Sequence, residues 1–243
     1  MTRSISIIVP AYNEEKRLPA TLERIIAYLD AAGWAFAEII VVDDGSADRT
    51  AAVAEGCAAS RPNLRVLRNP GNRGKGYSVR HGMLEAQGEW TLFTDADLSA
   101  PIEELEKLWD ACANSGASVA IGSRALNRAL IGVHQSVFRE WGGRVFNLVL
   151  RVITGLRFWD TQCGFKLFEG KASREIFRRQ CSEGFGFDAE VLFIARHLGC
   201  NILEVPVRWN HVEGTKMRLF SDTLRMVLDL VIIRWNQVLG RYR

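Results

Sequence analysis

The chain has 243 residues, 48% of them hydrophobic and 24% charged, which is enough for a substantial core and ordinary for a soluble globular protein. Its five cysteines (57, 112, 163, 181 and 200) are odd in number, widely spaced and never in a CxxC pair. That argues against a disulfide framework and a zinc site and points to a reducing compartment. The net charge of +3 divides unevenly: residues 1–123 hold 12 Lys+Arg against 17 Asp+Glu (−5), and residues 124–243 hold 19 against 11 (+8). A basic second half suits an anionic partner.

In chain order, the first half alternates strand and helix. Strands are predicted at 4–10, 37–45, 64–69, 90–97 and 118–124, with helices at about 20–32, 48–60, 75–87 and 102–115. Pro19 and Pro101 mark helix starts; Gly33, Gly88 and Gly116 mark helix ends. The strands are unbroken apolar blocks, the pattern of a sheet covered on both faces, and their alternation with helices predicts a mainly parallel, Rossmann-like α/β sheet. After residue 124 the pattern changes. A helix over 138–155 leads to an apolar-aromatic stretch, 158-FWDTQCGFKLFEG-170. Helices at about 171–180 and 187–198, a strand at 201–210, a polar loop at 211–218 and a last helix at 219–239 complete the chain. With no Pro/Gly/Ser-rich linker, the expectation is one domain over 1–243: a ligand-binding half (1–124), a second half (125–210), then the loop and an amphipathic helix (211–243). The N-terminus lacks a signal-peptide pattern, and 226-MVLDLVIIRW-235 is too short and too charged to span a bilayer, which needs ~20 apolar residues.

In parallel sheets ligands bind beyond the carboxyl ends of the strands. Asn13-Glu14, 43-DDGS-46 and 95-DAD-97 all fall there and should converge in one cleft. Two readings fit Asp95 and Asp97. One is a turn capping the helix after Pro101, through Ser99 or Asp97. The other is a pair of hard oxygen ligands holding Mg²⁺ or Mn²⁺ against a diphosphate. Of 43-DDGSADRT-50, one carboxylate suits a base or ribose, while Ser46 or Asp48 suits a helix cap. Tyr12 and Glu14 offer a stacking face and an acceptor. The basic loop 69-NPGNRGKGYS-78 is not a Walker A sequence, and no GxGxxG follows the first strand. Arg73 and Lys75 ahead of a helix still suit a diphosphate.

Taken together, VPAYNEE (9–15), VVDDGS (41–46), NRGKG (72–76) and DADLSAP (95–101) resemble the inverting family-two glycosyltransferases with the GT-A fold. DTQCGFKLF (160–168), GFGFDAEVL (184–192), VPVRW (205–209) and GTK (214–216) look like the branch that glycosylates polyprenyl phosphates, nearest the dolichyl-phosphate β-glucosyltransferases. The resemblance implies nucleoside contacts from Pro10, Tyr12, Glu14, Val42 and Asp44. It implies that Lys75, Asp95, Ala96, Asp97 and Lys216 surround the sugar diphosphate, with Asp95 and Asp97 on the metal, and that Arg124, Arg139 and Arg208 serve donor or acceptor phosphate. Many dolichyl-phosphate mannosyltransferases carry Gln where this chain has Ser99. Asp97, Arg124, Lys216 and Asp188 are the candidate catalytic group. Asp188 stands where relatives acting on hydroxyls place a carboxylate, and here it suits orienting the sugar or a Lys/Arg side chain.

The expected partners are a nucleotide sugar (UDP-glucose, or GDP-mannose as the alternative), a polyprenyl (dolichyl-type) phosphate and a membrane surface. A family-two enzyme acting on a glycan hydroxyl is the main rival. Nucleic acid is not expected, since the arginines lack a clustered basic-aromatic pattern. The last helix carries Phe220, Leu224, Val227, Leu228, Val231, Trp235, Val238 and Leu239 at helical spacing, and Met226, Leu230 and Ile233 widen the arc beyond one contact. The helix from Phe138 sets Arg139, Arg144, Arg151 and Arg157 beside an apolar face. Both predict peripheral attachment to the cytoplasmic face of a membrane.

Overall fold

The structure, a computed structural model, describes residues 3–133, 137–211 and 219–243, and the side chains of these except 137–141, 144 and 219–224. Seven strands form the main sheet: β1 (Ser4–Ala11), β2 (Phe36–Asp43), β3 (Leu64–Arg68), β4 (Trp90–Thr94), β5 (Val119–Ser123), β7 (Phe165–Glu169) and β8 (Ile202–Pro206). Their spatial order is β3-β2-β1-β4-β7-β5-β8. A small parallel pair, β6 (Ile131–Val133) with β9 (Trp209–Asn210), lies apart from it.

All pairings in the main sheet are parallel except those of β7, which runs antiparallel between β4 and β5. The strand β7 has no counterpart in the elements expected from sequence for 158–170. Its five residues, FKLFE, carry a lysine inside an apolar run, and periodicity alone cannot assign so short a segment. A second difference is that β4 stops at Thr94, short of the expected 97, because the chain turns: Leu98 has φ of 45°, in the left-handed region that non-glycine residues rarely enter. The third helix, α3 (Lys75–Glu85), also ends ahead of Gly88, whose backbone packs tightly against β1 instead.

Eight α-helices appear among the described residues. On one face α1 (Leu18–Ala32), α2 (Thr50–Ala59) and α4 (Leu105–Ser115) bury Leu22, Ile25, Leu108 and Trp109 against Ile5, Ile7, Ile39 and Leu92. On the other, α3 (Lys75–Glu85), α5 (Val137–Thr154), α6 (Gly170–Arg179), α7 (Phe187–His197) and α8 (Leu219–Val238) cover Ile8, Ile40, Phe93 and Ile121. Alternation along each strand feeds both cores, which is why the strands read as unbroken apolar blocks. Residue 8 faces one side and residues 7 and 9 the other. The carboxyl ends of β1, β2 and β4 meet at one edge of the sheet, and the amino end of β7 reaches the same edge.

Two helices leave apolar surface in solvent. On α8, Met226, Leu230 and Ile233 are buried, whereas Leu228, Val231, Ile232, Trp235 and Val238 are more than half exposed. On the neighbouring α5, Phe146 and Leu150 are buried while Leu148 and Val152 stand exposed. The three residues that widen the arc in sequence are thus the ones that dock; of the longer arc's described side chains, Val227 packs partly on the core while Leu228, Val231, Trp235, Val238 and Leu239 face outward. No helix among the described residues is long and apolar enough to cross a membrane.

Candidate active site

At the end of β1, Pro10 pairs in register with Val42 of β2, and Tyr12 is exposed beyond them. Glu14 receives Arg17 in a two-pronged contact (Nε to Oε2, 2.6 Å; Nη2 to Oε1, 2.7 Å), which ties it to the start of α1. Its backbone N–H donates to Thr50 Oγ1 (2.7 Å).

Asp44 is buried and organises the basic loop. Its Oδ1 accepts from Asn69 Nδ2 (2.7 Å) and the Arg73 N–H (3.0 Å), and its Oδ2 accepts from the Gly74 N–H (2.8 Å). Asp43 accepts the Ser46 N–H, and Thr50 N–H donates to Asp48 Oδ1 at the start of α2 (2.9 Å). Gly45, with φ of 70°, lets these two loops interlock, for a Cβ there would lie 2.5 Å from the Gly71 backbone. The loop thereby delivers Lys75, the first residue of α3, to the end of β4.

There Lys75 Nζ lies 2.6 Å from Asp95 Oδ1 in an ion pair. The turn at Leu98 folds Asp97 back beside Asp95, and Asp97 Oδ1 accepts the Ser99 N–H (3.0 Å). The helix-capping alternative does not describe this geometry: the residue at the N-cap ahead of the short 3₁₀ turn 102–104 is Pro101. Ala96 is pinned through its carbonyl by Thr21 Oγ1 (2.6 Å). Burial first, and then the Asp95 charge, push the Asp97 carboxyl above the ordinary range. Burial opposes the charge of Lys75, but Asp95 and Asp188 outweigh it and hold the ammonium above its usual pKa.

Three features of this site carry no assigned role in the sequence reading. Gly164, just before β7, abuts Asp95: a Cβ there would sit 2.1 Å from Asp95 Oδ2, and the Gly164 carbonyl accepts the Asp95 N–H (3.2 Å). Lys166 is fully buried, donates to the Cys163 carbonyl (2.7 Å) and pairs with Asp188 at the start of α7. Asp188 is itself buried, which raises its pKa against the pull of Lys166 and Lys75. Asp160 is the third. The signal for all three is DTQCGFKLF, where charges and a glycine interrupt apolar residues; sequence periodicity does not say which partner each one meets.

At the end of β5, Arg124 is fixed by Asp160 through three contacts: the N–H to Oδ2 (3.0 Å), Nε to Oδ2 (2.6 Å) and Nη2 to Oδ1 (2.8 Å). Its guanidinium also faces the Trp209 ring at 5.4 Å. Glu204 accepts the N–H groups of Trp159 (2.9 Å) and Asp160 (2.7 Å), which holds that loop in place. Arg208 is not part of this cluster; it pairs with the buried Glu104 at the start of α4, which also takes Lys107 (2.6 Å). The side chain of Arg139 and all of Lys216 lie outside the described residues. The helix α8 packs its Asp229 against Gly186 at the head of α7, and Tyr242 OH donates to Glu190 Oε1 (2.6 Å), so the C-terminal segment braces the helix that carries Asp188.

The arrangement is a carboxylate pair at a strand end, a lysine from a glycine-rich loop, and an arginine across an intervening strand. The sequence model of glycosyl transferase family 2 matches residues 6–177, which contain all of these, while Asp188 lies beyond them. The chain belongs to that family. This glycosyltransferase is 40% identical to a dolichyl-phosphate β-glucosyltransferase of Trichomonas vaginalis, over 94% of this chain and 72% of the relative. It is 36% identical to those of Saccharomyces cerevisiae (98% and 76%) and Homo sapiens (100% and 78%). Its fold is GT-A, like that of Mycobacterium tuberculosis glucosyl-3-phosphoglycerate synthase solved with Mn²⁺, UDP and glucosyl-3-phosphoglycerate. The two superpose with a TM-score of 0.69 at 19% identity, over 95% of this chain and 80% of that one.

Proposed function

We propose that this glycosyltransferase moves glucose from UDP-glucose to a polyprenyl (dolichyl-type) monophosphate, with inversion, at the cytoplasmic face of a membrane. The observation that carries the choice of acceptor is the state of Asp188. A hydroxyl acceptor needs a general base within reach. The carboxylate standing in that position is buried in an ion pair with Lys166. A phosphate monoester has a second pKa of ~6 and is already largely dianionic at neutral pH, so it needs cations to position it and no base. Arg124, held rigid by Asp160 through Nε and Nη2, keeps its remaining guanidinium nitrogen as a fixed cationic donor for such a phosphate. The names of the relatives above support the same donor sugar and acceptor.

In this reading Pro10, Tyr12, Glu14, Val42 and Asp44 border the nucleoside, and Lys75, Ala96 and Lys216 border the diphosphate. An acceptor phosphate oxygen attacks the anomeric carbon from the face opposite the nucleotide. The carbon–oxygen bond to the nucleotide breaks, its electron pair leaves with the diphosphate, and the configuration inverts. Asp95 and Asp97 form the oxygen donor pair that hard cations prefer, and the like-charge pressure on Asp97 fits a site made for one. They would hold Mg²⁺ or Mn²⁺, which when bound neutralises charge developing on the leaving diphosphate. Arg124, Arg139 and Arg208 are assigned to acceptor or donor phosphate; of the two whose side chains are described, Arg124 is the more enclosed. Chain residues 1–243 act in this scheme as one unit: the nucleotide-sugar half to 124, the acceptor half to 210, and the closing loop with its helix.

The exposed faces of α5 and α8 supply the membrane contact, because a lipid acceptor must be met at the bilayer surface and apolar side chains of that extent are costly in water. The test is to incubate the protein with UDP-glucose and Mg²⁺ or Mn²⁺, with and without a short polyprenyl phosphate. Glucosyl-lipid that requires metal and disappears in Asp97→Ala is the expected result. Transfer to a glycan hydroxyl without lipid, or turnover of GDP-mannose alone, would replace this reading.

A further inference from the structure

Three carboxylates and two ammonium groups crowd the end of β4: Asp95, Asp97 and Asp188 against Lys75 and Lys166. The formal balance is one negative charge, a poor attraction for a dication that must shed water to bind. The two lysines are held differently. Lys166 is fully enclosed and fastened to two acceptors, Asp188 and the Cys163 carbonyl. The Lys75 side chain is 23% exposed and, among the described residues, its one close ionic contact is Asp95 Oδ1 at 2.6 Å. It is the movable cation of the cluster. It also covers the oxygen that a metal would need.

We propose that the Lys75 ammonium is the resident counter-ion of Asp95, and that it must be drawn onto an incoming diphosphate before a divalent cation can take its place, so that metal and nucleotide are bound as a pair. The inference rests on Asp95 and Asp97 being the metal pair. Its logic is charge balance. With Lys75 against Asp95, a dication meets a nearly neutral cluster and an occupied oxygen. When a diphosphate arrives at the first turn of α3, Lys75 gains a stronger anion and Asp95 is released, so that Asp95 and Asp97 would then be able to hold a divalent cation beside the diphosphate. Because such coupling is reciprocal, metal strengthens nucleotide binding by the factor by which nucleotide strengthens metal binding. A site built in this way keeps the carboxylate pair from capturing free cations when no donor is present. The Gly164 backbone lies against the same carboxylate: a Cβ there would sit 2.1 Å from Asp95 Oδ2 and 2.6 Å from Oδ1, so only glycine leaves that carboxylate its place.

The test reads metal binding directly. Free Mn²⁺ is followed by its electron paramagnetic resonance signal as protein is titrated in, with and without UDP, for the native chain, Lys75→Met and Lys75→Arg. The native protein should bind Mn²⁺ weakly alone and far more tightly with UDP. Removing one unit charge in contact with a ligand oxygen should make Lys75→Met bind Mn²⁺ alone at least about tenfold more tightly. UDP should then add less than it does to the native chain, and Lys75→Arg should keep the native coupling. Native Mn²⁺ binding with UDP, but no gain in Lys75→Met alone, overturns the counter-ion role and leaves the metal pair standing. No Mn²⁺ binding by any form with UDP overturns the metal pair itself. If Lys75→Met does not fold, the same comparison is made with Lys75→Gln and on the native chain by calorimetry. Equal UDP affinity with and without Mn²⁺ would then reject the coupling.

Discussion

The two sides of β7 treat charge in opposite ways. Toward β4, Asp95 and Asp97 sit together, with one lysine touching one of their oxygens and a third of the Asp95 side chain open to solvent. Toward β5, Arg124 and Asp160 satisfy each other through a two-pronged contact, and Glu204 fixes the loop that carries Asp160. The first cluster is under-compensated and can exchange partners. The second is saturated and rigid. A site that must admit and release a charged diphosphate needs the first kind, whereas one that only has to hold a cation at a fixed place needs the second.

Removing the buried lysine of β7 itself, which lies between the two clusters, should have the largest effect. Lys166→Met leaves Asp188 uncompensated in the core, so stability should drop by about 3–5 kcal/mol, read as a lowered urea midpoint at unchanged slope. Restoring balance with Lys166→Met/Asp188→Leu should recover much of it. Breaking the exchangeable side should spare the fold and cost activity: Asp97→Ala should lose about 10²–10³-fold in glucosyl transfer with little change in the thermal midpoint. Asp160→Asn should raise KM for the lipid phosphate by roughly 10–100-fold, the equivalent of a hydrogen bond to a charged group, and change KM for the nucleotide sugar little. The same substitution sharpens the comparison in acid. Burial would raise the Asp160 pKa, but Arg124 reverses that and holds it below the usual carboxylate value. This stabilisation is complete above pH ~3.9 and is lost as pH falls through the depressed pKa. Unfolding below that pH should therefore be less steep in Asp160→Asn, by circular dichroism against pH. The smallest effect should come from Val238→Ser on the outer face of α8: about a tenfold weaker partition onto anionic vesicles, with unaltered turnover of a detergent-solubilised acceptor.

How legible the site is in the sequence follows the range of its contacts. Asp95, Asp97, Asp44 and the 72–76 loop lie at the ends of strands whose alternation with helices announces a parallel sheet, so their convergence follows from the sequence pattern alone. The apolar arc of α8 is visible there as well, though which half of it docks is not: helical spacing defines a face, and only the packing of α5 and α7 decides which face is inward. The partners of Lys166, Asp160 and Gly164 are out of reach for a different reason. Each depends on β7 running backwards between two parallel strands, and a run of five residues carries no signal of its direction or its neighbours. Lys166 stands across from Phe93 on one side and Ile121 on the other, a placement set by pairings tens of residues away.

That placement also bears on how the molecule can be made. The strands β4 and β5 are neighbours in the chain but exchange no hydrogen bonds, because β7 fills the space between them. A nascent chain that has reached Ser123 therefore has two strand edges with nothing to pair, and they must be kept from closing on each other until residue 165 and those after it are synthesised. Filling this gap in the sheet and seating the backbone beside Asp95 are then a single event, since the residue that leads into β7 is the glycine lying against that carboxylate. A ribosome-bound chain that stops short of this point would hold every donor-side motif from VPAYNEE to DADLSAP and still lack a finished site.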